Sequence, residues 1–385
     1  MKTVKVLTIA AVAILAAFVS ATARVMPRFS GSAVTPPIAE GPSPQRLDPS
    51  FADSLLIIGT ANNGAASQFG QLNAFGNGRS GSVADPGRTL GSTRETEWAL
   101  EDALKSRDPL TDIHFAAEAN YFQLNKSEYF VPITIKISGS QLPDSENTRH
   151  IFLDIIGQVN QDGVVAQKLR DEVDVRLSDE MARGLPMRQI AYDTGFTLFP
   201  GRYSIKFLVH EWNTGRIGTY QTVLLIPNLL KEDKNLPISS VVLSNEFVNL
   251  EDAVSNSMQP RSFPADGQFA VDPLVIEGKK LIPRVTREFS KRRDLLVFLL
   301  AYEPNAMATQ PLTAFVTLYR GQTKMYETSP ITFKDDLAQR LRAVPIELRV
   351  PLTNLPLGSY DCQVTVLDPT VQKSASWRSP ISVVD

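Results

Sequence analysis

Residues 195–227 read GFTLFPGRYSIKFLVHEWNTGRIGTYQTVLLIP, and their pattern decides the fold class. Tyr203, Ile205, Phe207 and Val209 alternate with Ser204, Lys206 and Leu208. A period of two puts one set of side chains on a buried face, the signature of a β-strand. Asn213-Thr214-Gly215 supplies a turn, because Asn and Gly tolerate positive φ at low cost. Tyr220, Thr222, Leu224 and Ile226 form the returning strand, which Pro227 ends by removing a ladder donor.

A related pattern returns near the C-terminus. Leu355-Pro356-Leu357-Gly358-Ser359-Tyr360 echoes Leu198-Phe199-Pro200-Gly201-Arg202-Tyr203, 157 residues later. The same offset aligns Ile205 with Cys362, Phe207 with Val364 and Val209 with Val366. This reads as a distant tandem duplication, since solenoid repeats have shorter periods. Gly201 and Gly358 would permit a tight bend between sheets. Tyr203 and Tyr360 would bury their rings and bond backbone near the corner. The expected fold is mainly β, with two tandem immunoglobulin/fibronectin-III-like β-sandwich domains.

The rest of the chain fits around these two units. Lys2 and Lys5 precede an apolar run at 6–19, and Ala21-Thr22-Ala23 matches a cleavage site, so residues 1–23 read as a signal peptide. Residues 24–92 are rich in Pro, Gly, Asn and Ser and read as a disordered linker. Its one apolar run, Leu55-Leu56-Ile57-Ile58, reads as a sticky spot, with an isolated strand or a docking peptide as alternatives. A short helix is expected at 93–107, opened by a Ser92/Glu95 capping box, carrying Trp98, Leu100, Ala103 and Leu104, and stopped by Asp108-Pro109. The first sandwich is placed at 111–228, a charged connector at 229–237, and the second sandwich at 238–385, with a long polar loop near 251–272 and a short helix at 335–342. Asp162-Gly163 marks a hairpin in the first and Arg320-Gly321 one in the second.

Composition narrows the function classes. The net charge of −2, from 39 basic and 41 acidic residues, argues against a nucleic-acid binder. The single cysteine, Cys362, cannot close an intramolecular disulfide, so exported domains would rely on their cores. After signal cleavage no stretch is long and apolar enough to span a membrane as a helix. The expected location is outside the cytoplasm: periplasm, outer envelope surface or medium.

Several stretches carry a closer resemblance: Leu100-Glu101-Asp102-Ala103-Leu104, Asp108-Pro109-Leu110-Thr111-Asp112, Asn120-Tyr121-Phe122-Gln123-Leu124, Glu128-Tyr129-Phe130-Val131-Pro132, the run at 192–198, Gly215-Arg216-Ile217-Gly218-Thr219-Tyr220, the run at 237–243 and that at 280–287. Over about 94–385 the chain resembles the exported von Willebrand factor A-related proteins of Acidobacteria, in the region that follows their A domain. That resemblance implies an exported β-sandwich module. It does not extend to metal-dependent adhesion, because the A-domain metal site needs Asp-x-Ser-x-Ser after a buried strand. The nearest string, Asp48-Pro49-Ser50-Phe51-Ala52, lacks the second Ser.

Chemistry is scarce in the sequence. There is no Gly-x-Ser-x-Gly elbow, no His-Glu-x-x-His and no cysteine pair, and His114, His150 and His210 share no motif. No catalytic residue, cofactor or metal is expected. Cys362 falls on an apolar strand face and reads as a core residue. The basic stretch 279–293 reads as a solvated strand-loop-strand anchored by Leu281, Ile282, Val285 and Phe289. The alternative makes Lys279, Lys280, Arg284 and Arg287 contacts for an anionic polysaccharide, headgroup or acidic partner. Trp212 and Trp377 read as core aromatics, with sugar stacking as the alternative. The functional expectation is a non-catalytic module that contacts protein or envelope components. Carbohydrate binding, as an accessory to a secreted hydrolase, is the second reading.

Overall fold

Turn and cap chemistry cuts the chain into short strands. In order they are β1 (Leu55–Ile58), helix α1 (Arg94–Lys105), β2 (Phe115–Ala119), β3 (Phe122–Gln123), β4 (Tyr129–Ser138), β5 (His150–Gln161) and β6 (Val164–Arg176). Helix α2 (Asp179–Gly184), β7 (Gln189–Leu198), β8 (Gly201–Glu211), β9 (Ile217–Ile226), β10 (Val242–Ser244), β11 (Phe247–Asn249) and β12 (Val254–Ser255) follow. Then come β13 (Val275–Ile276), β14 (Lys279–Leu281), β15 (Glu288–Ser290), β16 (Leu295–Tyr302), β17 (Leu312–Arg320) and β18 (Thr323–Glu327). The last are β19 (Ile331–Phe333), β20 (Ala343–Val350), β21 (Gly358–Asp368) and β22 (Lys373–Val384). This computed structural model describes residues 54–59, 94–106, 108–142, 150–232, 234–250, 253–255, 272–303, 311–333 and 343–385. All fall within one compact unit, Thr35–Asp385. The expected signal peptide, most of 24–92, the Ser92 cap, the helix at 335–342 and most of 251–272 lie outside the described residues, as does the Trp98 side chain.

The chain is mainly β. One sheet runs β12-β1-β7-β4-β2, with β3 also on β4, and a second runs β6-β5-β8-β9. Their inward residues, among them Ile133, Ile135, Tyr192, Ile155, Val173, Ile205 and Phe207, share one core. A third sheet, β10-β16-β20, faces a fifth, β15-β22-β21-β17-β18 with β19 on β17, across a separate core that includes Val297, Ile346, Val316 and Cys362. The small fourth sheet, β11-β14-β13, lies beside a minor cluster of Phe122, Leu281 and Phe298. Among the described residues no helix is long and apolar enough to cross a membrane.

Local chemistry explains the hairpins. Asp162 and Gly163 both take positive φ, 51° and 82°, as the two-residue β5–β6 turn demands. The β8–β9 turn is built differently from the expectation. Gly215 has φ 70°, but Asn213 does not enter the positive region. Instead the buried Glu211 carboxylate accepts from Asn213 N and Thr214 N at 3.0 and 2.8 Å and from Thr214 Oγ1 at 2.6 Å. Leu208, on the polar face of the alternation, is fully buried, because Leu100 and Ala103 of α1 cover that face. Lys206 reaches past it to cap the carbonyls of Ala103 and Ser106, where a cation suits the helix dipole.

The two Gly-x-Tyr corners share their bonding. Tyr203 Oη donates to Phe199 O at 2.9 Å, and Tyr360 Oη donates to Pro356 O at 2.5 Å. The glycines differ. Gly358 has φ 130°, whereas Gly201 has no positive φ and is crowded only by the Gln161 amide, 2.7 Å from where a Cβ would sit.

Two segments outside the expected sandwiches pack against the cores. The connector carries Leu229 into the first core and Leu236 into the second, with Leu229 N donating to Tyr129 Oη. Leu55–Ile58 is no isolated patch in a linker: β1 pairs in parallel with β7 on one side and β12 on the other. Burying Leu55 and Ile57 contributes about 3–6 kcal/mol. Ordering four residues of backbone costs about 4–8 kcal/mol. The two are of similar size, and ladder bonds on both sides add to the gain.

Candidate interaction surface

The outer face of the first sheet is charged yet buried. Strand β4 turns Ile133, Ile135 and Ile137 into the core, so Thr134 and Lys136 face outward. By the same alternation β7 presents Asp193, and β2 presents Glu118. The segment around β10–β15 covers this face. Lys280, 1% exposed, lies 2.8 Å from Asp193 Oδ2 and also bonds Asp272. Thr134 Oγ1 donates to Asp193 at 3.1 Å. Arg287 Nη2 sits 3.1 Å from Glu118 Oε1, and Lys136 Nζ 3.9 Å from Glu246 Oε2. Arg284 is buried beside them and donates to Glu288 O. Four bases (Lys136, Lys280, Arg284, Arg287) thus meet four acids (Glu118, Asp193, Glu246, Asp272), and the layer is neutral.

Burial and mutual charge tune these groups. Burial pushes Asp193 up to about 6, helped by the neighbouring Asp272 charge and opposed by Lys280. Burial alone would lower Lys280, but its two carboxylates together outweigh that and hold it above the usual lysine range. The directions agree: two acids share one lysine, so a carboxylate is the more easily neutralised member. Lys136, with no hydrogen-bond partner for Nζ, is pushed down to about 8 by burial.

These positions revise the expectation for the basic stretch. The strand-loop-strand is present as β14 and β15, with Leu281, Ile282 and Phe289 buried, but Lys280 and Arg284 are buried too and Arg287 is ion-paired, so only Lys279 of the four basic candidates is exposed. Asp193 and Glu118 consume its charge from strands far away in sequence, which no local pattern reveals.

The tryptophans also separate. Trp377 lies in β22 opposite Val364, packed half-buried against the second core. Trp212 lies in the β8–β9 turn and stacks on Phe152 at 5.1 Å between centroids, with His150 on that ring's other neighbourhood at 6.0 Å. Beside it, His210 Nδ1 is 3.6 Å from the fully buried Asp154, and His150 bonds Asp174. Among the described residues neither Asp154 oxygen nor His210 Nδ1 makes a hydrogen bond. A cavity of about 10 Å³ lined by His150, Phe152 and Glu211 has room for about one water. His210 and Asp154 form a buried acid–base pair. His114 lies apart, its backbone bonded to Gln141. Burial pushes the Cys362 thiol up to about 12, so it packs as a core residue and not as a thiolate. No group of three metal-ligating side chains occurs among the described residues.

What the second sheet does expose is an edge. Among the described strands β6, 13 residues long, pairs with β5. From Leu169 to Arg176 it alternates buried and charged residues, which discourages unwanted pairing. Its first turn-proximal residues carry no charge: Val164 is 70% exposed and Val165 43%. Register places Val165 across from Asn160, and Asn160 across from Ser204, at the end of the sheet where Phe199 and Leu225 are also exposed. No family model and no curated protein matches the chain.

Proposed function

We propose that this is an exported, non-catalytic protein of two immunoglobulin/fibronectin-III-like β-sandwich modules behind a signal peptide, and that it contacts protein components of the cell envelope. The observation that carries the reading is the apolar, uncharged start of edge strand β6 with Val164, Val165, Phe199 and Leu225 at one end of the sheet. The start of a strand at a sheet edge offers backbone donors and acceptors to an extended segment, and neighbouring apolar side chains add affinity. Polysaccharide binding gains less support, since Trp212 and Trp377 spend their faces on Phe152 and the second core.

The test compares the full chain with a Val164→Lys, Val165→Lys double variant, both immobilised and exposed to envelope extract and to a polysaccharide array. The expected result is a protein partner retained by the parent and reduced at least tenfold by the variant, with an unchanged melting temperature. Equal capture by both chains, or glycan binding without a protein partner, rejects this surface.

A further inference from the structure

Lys280 stands between two acids, and each of the three is held from its own backbone. Strand β14 pairs Lys280 with Val248 of β11 on one side and Val275 of β13 on the other. Strand β7 pairs Asp193 with Thr134 of β4 and with Ile58 of β1. Lys280 Nζ and Asp193 Oδ2 meet at 2.8 Å, with the two side chains 1% and 5% exposed. Thr134 Oγ1 donates to the other oxygen, Oδ1, at 3.1 Å. Asp272 also bonds Lys280 Nζ. Its own Oδ1 accepts from Leu274 N at 2.9 Å, and its carbonyl accepts from Val275 N at 2.9 Å. An amine, a carboxyl group, a second acid and a hydroxyl donor thus converge in a dry site before any reaction, which removes most of the entropic cost of bringing them together.

We infer that Lys280 and Asp193 condense to an isopeptide bond, with Asp272 carrying the proton and Thr134 holding the oxyanion. Lys280 Nζ first gives one proton to Asp193 Oδ2, which leaves a neutral amine beside a neutral acid. The amine's electron pair then forms the N–C bond at Cγ, and the carbonyl pair moves onto Oδ1, where the Thr134 hydroxyl receives it. Asp272 takes a second proton from the nitrogen and passes it to the Oδ2 hydroxyl. The Cγ–Oδ2 bond breaks, the carbonyl re-forms, water leaves and Asp272 regains its charge. The third proton stays on the amide, and no other reactant is consumed. Burial favours the product, because an ion pair kept from water carries a desolvation cost that a neutral amide escapes. One base and one acid disappear together, so the layer stays neutral. The two carboxylates hold Lys280 charged, so the neutral amine is scarce and the bond forms slowly from the ion pair. The titration of Asp193 and the effect of removing Lys280 are properties of that precursor. Lys136 lacks such a site: its Nζ makes no hydrogen bond, and Glu246, 3.9 Å away, already accepts from Ser54 N and Oγ. With a single cysteine the chain closes no disulfide, and this bond ties β7 covalently to the segment that covers its sheet.

The experiment follows the folded full chain at neutral pH over several days. Samples are denatured, weighed by intact mass spectrometry and mapped after proteolysis. The expected result is the loss of one water together with a branched peptide that joins Lys280 to Asp193. Lys280→Arg keeps the charge and should keep the full mass. Asp272→Ala should convert at least tenfold more slowly than the parent, and an equal rate removes Asp272 from the mechanism and overturns the proposal. A parent that keeps its full mass also overturns it. So does water loss that survives Lys280→Arg without the branched peptide, as a succinimide at Asp162-Gly163 would give, or a branch that joins Lys280 to Asp272 instead. Should the variants not fold, the parent's peptide map decides alone.

Discussion

Asp193 shows how a single side chain ties the two halves together. Its carboxyl is held near 6 while the unfolded value is near 3.9. Between those values the folded state binds the extra proton, so this group's contribution to stability falls as pH rises from about 4 to 6 and is flat above. Replacing it by Asn removes that slope. Comparing chemical unfolding of the parent and Asp193→Asn across pH 4–7, the difference between them should drift by roughly 2–4 kcal/mol against the parent as pH rises. A constant difference would count against a buried, protonatable Asp193. The pairing was invisible in the sequence: Lys280 sits in a basic run whose neighbours give no hint of acids on β7 or β2. Cys362, by contrast, was legible as a core residue because its strand alternates with period two.

Strands read well where the signal is local. The alternation at 203–209 and the Asp162-Gly163 turn each lie within a few residues, and both hairpins follow from them. Leu208 and β1 depart from the local pattern for a shared reason: what buries them, α1 in one case and β7 with β12 in the other, is set by tertiary packing. The corners show where a repeated motif hides different physics. At Gly358 any side chain meets a φ of 130° and Arg320 Nη2 at 3.0 Å, while at Gly201 an added Cβ clashes with the movable end of Gln161 and otherwise makes ordinary contact with the Tyr203 ring. Gly358→Ala should cost about 1–3 kcal/mol and Gly201→Ala under about 1 kcal/mol. Thermal melts of the two variants would reverse this ranking if the bend at Gly201 were the strained one.

Two large cores and one buried charged layer make up the whole. Tyr302, at the end of β16, packs against the first core and accepts from Gln123 N at 2.9 Å, so the halves also meet through apolar contact. Calorimetry should therefore show one unfolding transition. Lys280→Ala leaves Asp193 and Asp272 facing each other uncompensated, a loss of about 3–5 kcal/mol at the junction. The variant should melt in two steps, and a single step shifted downward would mean that the apolar contacts alone keep the halves cooperative. The neutral layer has one more consequence. Water binds charged groups less favourably as temperature rises, so the cost of keeping them dry shrinks on warming, while the gain from apolar burial levels off. Sealed from ions, the layer is also little screened. Heat and brine, which loosen most surface contacts between domains, should leave this seam among the last to part.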